Sequence, residues 1–453
     1  MNFVQVIEAL WDEKKINTLR ELLLTMQPAQ IAEILDELSH LTTTVLFRML
    51  PKEVAADVFI EMEPEGQEAL VKTFSDSELQ EVIDDLFVDD AVNLIEEMPA
   101  NVVRRIIANT DPQMRASINN ILKYPKDSAG SIMTVEYVSL AANVTADQAI
   151  ELIRTKGTEK RTVNVCYITD SWRHLLGVVS LYDIIRAPGD AIMEHIMEDR
   201  VVSIQTQEDQ ETVAHLLGKY DFNVMPVVDT ENRLVGIITA DDVIDVIQEE
   251  TTEDMEKMAA IMPSEKPYLR NSIFELWKSR IPWLLILMIS ATFTGMIITG
   301  FQEALAASVV LTAFIPMLMD SGGNAGSQSS VTIIRGLSLK QISFKELWEV
   351  VWKESRVGIL CGLTLSASTF VKLLLIDRLV LGNDAVTLMV ALVVSLTMAI
   401  TIFIAKVTGS ILPLLAEKIG FDPAVMASPF ITTIVDALSL LVYFGLATQL
   451  LGI

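Results

Sequence analysis

The chain has 453 residues, about half of them hydrophobic, and a formal net charge of −26. From Ile273 onward eleven acidic residues balance eleven basic ones, so residues 1–272 carry the entire negative excess. An acidic half of this kind argues against a nucleic-acid partner, because phosphate binding needs clustered Lys and Arg, and it suits either multivalent cations or a solvated surface. Cys166 and Cys361 lie far apart and read as small apolar side chains, with no disulfide or zinc pattern. The opening MNFVQVIEALWDEKK reads as no signal peptide, since acids interrupt it and no long apolar core follows.

Residues 1–127 carry an internal repeat. IAEILDEL begins at 31, AADVFIEM at 55, LQEVIDDL at 79 and AVNLIEEM at 91. Such spacings predict helices of about a dozen residues stacked as an α-superhelix with acidic outer faces. From 128 the pattern changes to two βαββα units, residues 128–190 and 191–250. GVVSLYDII (Gly177–Ile185) returns as GIITADDVI (Gly236–Ile244), 59 residues later, each after an apolar strand and a turn. The duplicated glycine–strand–hydroxyl–x–x–Asp pattern resembles tandem cystathionine-β-synthase-type (CBS) repeats, which commonly bind regulatory ligands. Glu249–Met262 then reads as an acidic-starting helix leading into the linking segment 251–277, with acids suited to the positive end of the helix dipole. Pro263 and Pro267 break the path beyond it.

Five apolar stretches follow in 278–453, at about 281–302, 304–334, 357–376, 385–416 and 426–451. Each is long enough for ~30 Å of hydrocarbon, so this part is predicted to span a membrane five times. Lys278 and Arg280 flank the first stretch, and Arg335, Lys340, Lys345, Lys353 and Arg356 fill the loop between the second and third. The positive-inside rule then puts the N-terminal domains in the cytoplasm and the C-terminus outside. Ionisable groups at membrane depth are functional candidates: Asp436 near the middle of the last helix, and Asp320 within the second. Lys372 and Lys406 are expected to snorkel toward the interface. Asp320 opens DSGGNAGSQSS, whose Gly322, Gly323, Asn324 and Gln328 read as a polar pore wall or as a close-packing face.

The order of superhelix, paired CBS units, linking helix and five membrane helices resembles the MgtE family of bacterial magnesium channels over essentially the whole chain. SGGNAGSQ and DPAVMASPFITTIVD carry the likeness most specifically. The resemblance implies a homodimer in the bacterial plasma membrane, with Mg2+ as both cargo and regulatory ligand. It makes Asp436 the pore ion site, Asn324 and its glycines the pore motif, and Asp422 a group at the cytoplasmic mouth. Regulatory ion ligands carried over are Asp57 and Asp89 in the superhelix. In the second CBS unit they are Asp209, Glu211, Asp221, Asp242 and Asp245, with Gly218 offering a carbonyl. Glu250, Glu253 and Asp254 follow on the linking helix. Asn93 stands where an acid is expected, which weakens the contact between superhelix and CBS pair. Ser180, Asp183 and Thr239 resemble ribose-contacting positions, so ATP is a further candidate ligand.

Mg2+ prefers octahedral oxygen and gives up water reluctantly. A pore with one carboxylate per subunit and many neutral oxygens therefore suits a largely hydrated ion. Without ions the acidic faces are expected to repel; with ions they are cross-linked and the pore closes. Two alternatives remain open: another CBS-regulated divalent-cation (Mn, Co or Ni) or anion transporter, and an enzyme with regulatory CBS repeats. Against the anion transporter stands the lack of in-membrane Arg clusters. Against the enzyme stands the lack of any nucleophile–base pair or phosphate loop.

Overall fold

The computed structural model describes residues 3–157, 160–264 and 268–452. The chain divides into two compact units, Met1–Ile247 and Gln248–Ile453.

The first unit begins with short helices, from Phe3–Asp12 to Pro112–Ile121. They run eight to ten residues rather than a dozen, because each is stopped by its own start signals. Ser39, Ser75 and Asp111 accept backbone N–H groups as N-caps, while Pro28, Pro64 and Pro112 open helices at a position that needs no N–H. Helices stack two apart: Pro28–Glu37 packs on Lys52–Glu61, which packs on Asp76–Asp84, which packs on Ala100–Asn109. This is the predicted superhelix. Phe47, Phe59 and Phe74 meet inside it with ring centroids 5.5 to 6.3 Å apart.

Two three-stranded sheets follow. In the first, β1 (Val138–Ala141) pairs parallel with β2 (Val165–Thr169), which pairs antiparallel with β3 (Leu175–Ser180). In the second, β4 (Ile204–Gln205), β5 (Val224–Val228) and β6 (Leu234–Thr239) repeat that order. The 59-residue offset survives in the register: Val165 faces Ser180, Val224 faces Thr239, and the irregularities at Ile168/Thr169 and Val227/Val228 coincide. Tyr137, Tyr167, Val224 and Leu234 form a core between the sheets. The superhelix core runs on into the second repeat through Met133, Ile204, Val213 and Met225.

The final helix of the second repeat and the predicted linking helix are one element, Ala240–Met258. No breaker interrupts ADDVIDVIQEETTEDMEKM, so the helix is continuous across residue 250. Pro263 lies past the helix end; Pro267 falls outside the described residues.

The second unit holds long helices at Ile273–Gly300, Ile315–Ser338, Leu347–Lys372, Leu388–Lys418 and Ser428–Leu451. Among the described residues, four segments are long and apolar enough to cross a membrane: Ile273–Gly300, Phe344–Val380, Leu388–Lys418 and Pro423–Leu451. Ile315–Ser338 is long enough but, with four glycines and five serines, is not among them. The predicted 304–334 stretch is not continuous: a short helix ends at Ala307, Ser308 leaves the helical conformation (φ −143°, ψ 82°), a 3-10 turn follows, and Pro316 opens the long helix.

Small residues set the packing of this unit. A Cβ on Gly409 would sit 2.3 Å from the Gly326 carbonyl oxygen, and one on Gly326 would press on Ile431 and Val435. Backbones of Ile315–Ser338 and Leu388–Lys418 therefore touch directly, as in small-residue crossings between membrane helices. Gly409→Ala should force the crossing apart, costing about 1–3 kcal/mol as an overpacked site. A melting curve of the purified protein in detergent should fall by several degrees; an unchanged curve would contradict this packing.

Candidate functional site

Asp320, Asn324 and Gln328 follow one another at intervals of four on the Ile315–Ser338 helix, and all three are exposed. Residues so spaced share one face, so the helix presents a carboxylate, an amide and a second amide in a line about 12 Å long. The buried flank does the packing. Gly322 abuts Thr401, Val435 and Ser439, and Gly323 abuts Thr432. Those two glycines thus lie off the exposed stripe, where the small-residue pattern had also allowed a wall. Val435 against Gly322 and Gly326 fixes the neighbouring Ser428–Leu451 helix, and places half-buried Asp436 within electrostatic reach of Asp320.

Lys406 departs from expectation. It does not snorkel; it is 6% exposed, and its Nζ donates to Gln328 Oε1 at 3.1 Å. Lys372 pairs with Asp377 at 2.8 Å.

Below the stripe, the end of the Ala240–Met258 helix is tied to the membrane helices. Lys257 Nζ lies 2.5 Å from Glu253 and 2.6 Å from Asp422, and Ser338 Oγ donates to Asp254 at 3.2 Å. Met258 packs on Ile334, Ala424 and Ala427. Burial works against the Lys257 charge, but hydrogen bonds to Asp422 and Glu253 outweigh it and hold its pKa above the usual value. Burial pushes the Asp254 carboxyl up. Three predicted ligands, Glu253, Asp254 and Asp422, are therefore brought together, around a lysine. Glu250 lies one turn earlier on the same helix.

A second acidic cluster joins the superhelix to the CBS pair within the first unit. Arg161 reaches Asp90 at 3.2 Å and both Asp241 and Asp242 at 3.1 Å, and its guanidinium stands over the Phe87 ring. Asp89 is buried beside this group, and neither of its carboxylate oxygens has a hydrogen-bond partner. Burial, then the charges of Asp90 and Asp242, push the Asp89 carboxyl up to about 8; burial and the neighbouring acids leave Asp90 at about 6 despite Arg161. Asp89 and Asp242, named separately as candidate ligands, lie together in this cluster. Arg161, Asp90 and Asp241 complete the cluster and were not foreseen. Asp90 and Asp241 adjoin named candidates, whereas a lone arginine in a turn carries no periodic signal.

The remaining candidates are scattered. Asp57 is exposed on Lys52–Glu61, and Asn93 is exposed on Val88–Glu97. Asp209 is an N-cap that accepts the Glu211 N–H at 2.8 Å. Asp221 ends the same helix in a left-handed conformation, φ 54°, and Gly218 faces open space. Asp245 is exposed. Among the described residues, no three His, Cys, Asp or Glu side chains are grouped so as to hold a metal ion. Ser180 Oγ donates to Asp183 at 2.5 Å and caps its helix, and Thr239 donates to Asp242 likewise. Thr239 also lines a cleft of about 290 Å³ with Arg161, Asn164, Asn223 and Asp241.

A membrane domain of long apolar helices, a polar stripe with two carboxylates at its heart, and acid-rich soluble domains define a multi-pass membrane transport protein. Family models agree: a divalent cation transporter domain matches residues 315–446, the MgtE intracellular N domain residues 26–127, and CBS domains residues 129–190 and 193–249. The chain is 35% identical to the magnesium transporter MgtE of Thermus thermophilus, over 99% of this chain and 98% of that one. It is 31% identical to the magnesium transporter MgtE of Bacillus subtilis, over 96% and 94%. It belongs to the MgtE family. Its residues also superpose on a crystal structure of the cytosolic domain of the Mg2+ channel MgtE in complex with ATP. There the identity is 35% and the TM-score 0.51, over 54% of this chain and 99% of that one.

The raised carboxyls of Asp89 and Asp90 give the first unit a pH dependence. Their unfolded values lie near 3.9, so between about pH 4 and 8 the folded unit binds more protons than the unfolded one. Their contribution is present in full below pH 4 and is lost as pH rises through 6 and 8. In metal-free buffer, denaturant unfolding of the unit should show lower stability at pH 8 than at pH 5. Asp89→Asn should flatten that slope; an equally steep slope in the variant would show that other groups set it.

Proposed function

We propose that this protein is a homodimeric magnesium channel of the bacterial plasma membrane that takes up Mg2+ and closes when Mg2+ binds its acidic cytoplasmic domains. The single observation that supports it most is the stripe Asp320–Asn324–Gln328 set beside Asp436 in a domain of the divalent cation transporter family. The named relatives are magnesium transporters, and a lysine- and arginine-rich loop between the second and third helices favours a cytoplasmic N-terminal half.

In this reading the exposed stripe faces the stripe of a second copy. Few carboxylates and neutral oxygens such as the Asn324 amide would hold Mg2+ with much of its water retained, through outer-sphere contacts. A sparse ligand set also lets the ion leave, as conduction requires. Asp436→Ala should remove Mg2+ uptake into proteoliposomes while the protein still inserts and elutes as a single species. Wild-type flux in that variant would overturn the assignment of Asp436.

Closure would act on the two carboxylate clusters. Each is held by one basic side chain, Arg161 or Lys257, so a divalent ion that joins them adds charge the protein itself supplies only singly. An ion at ten times its dissociation constant contributes ~1.4 kcal/mol to the state that binds it. About four such ions give roughly 5.5 kcal/mol, enough for a ~10⁴ shift in population. Weak sites thereby suffice for negative feedback. Neutralising Asp242, Asp245 and Glu253 together should leave the channel conducting at high internal Mg2+ in patch recordings, and should abolish protection of the cytoplasmic region from protease by Mg2+. If monovalent salt at equal ionic strength protects as well as Mg2+, simple screening is sufficient and the sensor reading fails.

ATP is the second regulatory ligand this reading carries. The cleft beside Thr239 and the ATP-bound relative support it, with Ser180 and Asp183 as the equivalent positions in the first repeat.

A further inference from the structure

Lys406 is a basic side chain in the interior of the membrane domain, and among the described residues no carboxylate lies within ion-pair distance of it. Its stem crosses a junction of three helices. Gly358 on the Leu347–Lys372 helix makes room for it, since a Cβ there would already stand 3.3 Å from the Lys406 Cβ. The Nζ ends on Gln328 Oε1 at 3.1 Å. An ammonium has only donors, so the Gln328 oxygen, not its NH2, must face the lysine. The next residue, Ser329, donates to Glu354 at 2.5 Å, so Gln328 and Ser329 are pinned to different helices and the amide has little freedom to turn.

Two consequences follow for the stripe. The Gln328 oxygen is already engaged by the lysine, which makes it a poor partner for a cation. And the basic end of Lys406 meets the stripe at Gln328, eight residues and so about 12 Å along the helix from Asp320 at 1.5 Å each. At an effective dielectric of about 20, unit charges at that separation alter monovalent occupancy by roughly tenfold, and the effect on a divalent ion is squared.

We propose that Lys406 is a specificity-determining residue of the ion pathway: its buried charge offsets the pull of Asp320 and Asp436, keeping a divalent ion from being trapped there. This rests on the reading of the stripe as the pore wall. A lysine serves where an acid-only pathway would bind too tightly to conduct, because a conducting site must be weak enough to release.

The test is Mg2+ flux into proteoliposomes across a range of external Mg2+, using the full-length protein and its Lys406→Met and Lys406→Arg variants. Lys406→Met keeps the length and apolar stem but removes the charge. It should lower the half-saturating Mg2+ concentration at least tenfold and lower maximal flux, while Na+ permeation changes far less. Lys406→Arg should restore the wild-type half-saturation. Unchanged half-saturation in Lys406→Met would overturn the proposal. So would an arginine variant as altered as the methionine one, since packing alone would then account for both. Gln328→Met separates charge from positioning: it should leave half-saturation nearer wild type than Lys406→Met does, and an equal shift would assign the effect to the amide. Each variant's melting temperature in detergent reports folding. Absence of Mg2+ flux in the unaltered protein would instead refute the channel reading itself.

Discussion

Charge compensation at buried carboxylates is the constraint on which this architecture depends. Two unit charges about 4 Å apart are worth roughly 4 kcal/mol at an effective dielectric near 20, and an acid removed from water without compensation costs more than a marginally stable domain can spare. Where superhelix and CBS pair meet, Asp89, Asp90, Asp241 and Asp242 converge, and one guanidinium answers three of them. Arginine suits that place because its planar fork can serve several carboxylates at once. The balance is incomplete. Asp89 keeps two buried oxygens without a partner, and its carboxyl is pushed up to about 8. The interface is thus held together with negative charge left over.

The same arrangement recurs where the Ala240–Met258 helix ends. Lys257 joins Glu253 to Asp422, and Asp254 settles on a serine hydroxyl. Acids alone would drive such surfaces apart, and Arg161 and Lys257 counter that repulsion at the two places. Both contacts exist with a single monovalent group at the centre. In each cluster the acids still outnumber the base, so negative charge remains that the protein's own side chains do not answer.

Much of the fold was legible because it repeats. A 59-residue offset in the sequence becomes a 59-residue offset in strand register, down to the matching irregularities after Ile168 and Val227. The superhelix announced itself through apolar residues at helical spacing, and the membrane helices through length and lack of charge. What could not be read were contacts made by chain segments distant in sequence. Arg161 meets Asp90 and Asp242 across separations of 71 and 81 residues, and nothing local to a turn records that. Lys406 was misjudged for the opposite reason. Its place near a helix end suggested snorkelling, but Gly358 on a neighbouring helix opens a groove that accepts the stem. Continuous helix over 304–334 failed at Ser308 and Pro316, local breakers that the apolar run obscured.

The glycines of the Ile315–Ser338 helix link this packing to the candidate site. Had Gly322, Gly323 and Gly326 lined the exposed face, the helix would have lacked any means of close approach to its neighbours. Instead they are spent on contact with Thr401, Thr432, Val435 and the Gly409 backbone, and the polar residues at Asp320, Asn324 and Gln328 are left on the opposite side. A helix cannot present small residues and polar residues on one face and satisfy both demands. Segregating them at intervals of three and four does so: tight burial on one flank fixes the angular position of the other. Because Val435 touches Gly322 and Gly326 directly, the rotation of the last helix, and hence the aim of Asp436, is set by the absence of side chains on its neighbour. A methyl group added on the buried flank would therefore disturb the carboxylate on the exposed one, through geometry and without altering a single charge.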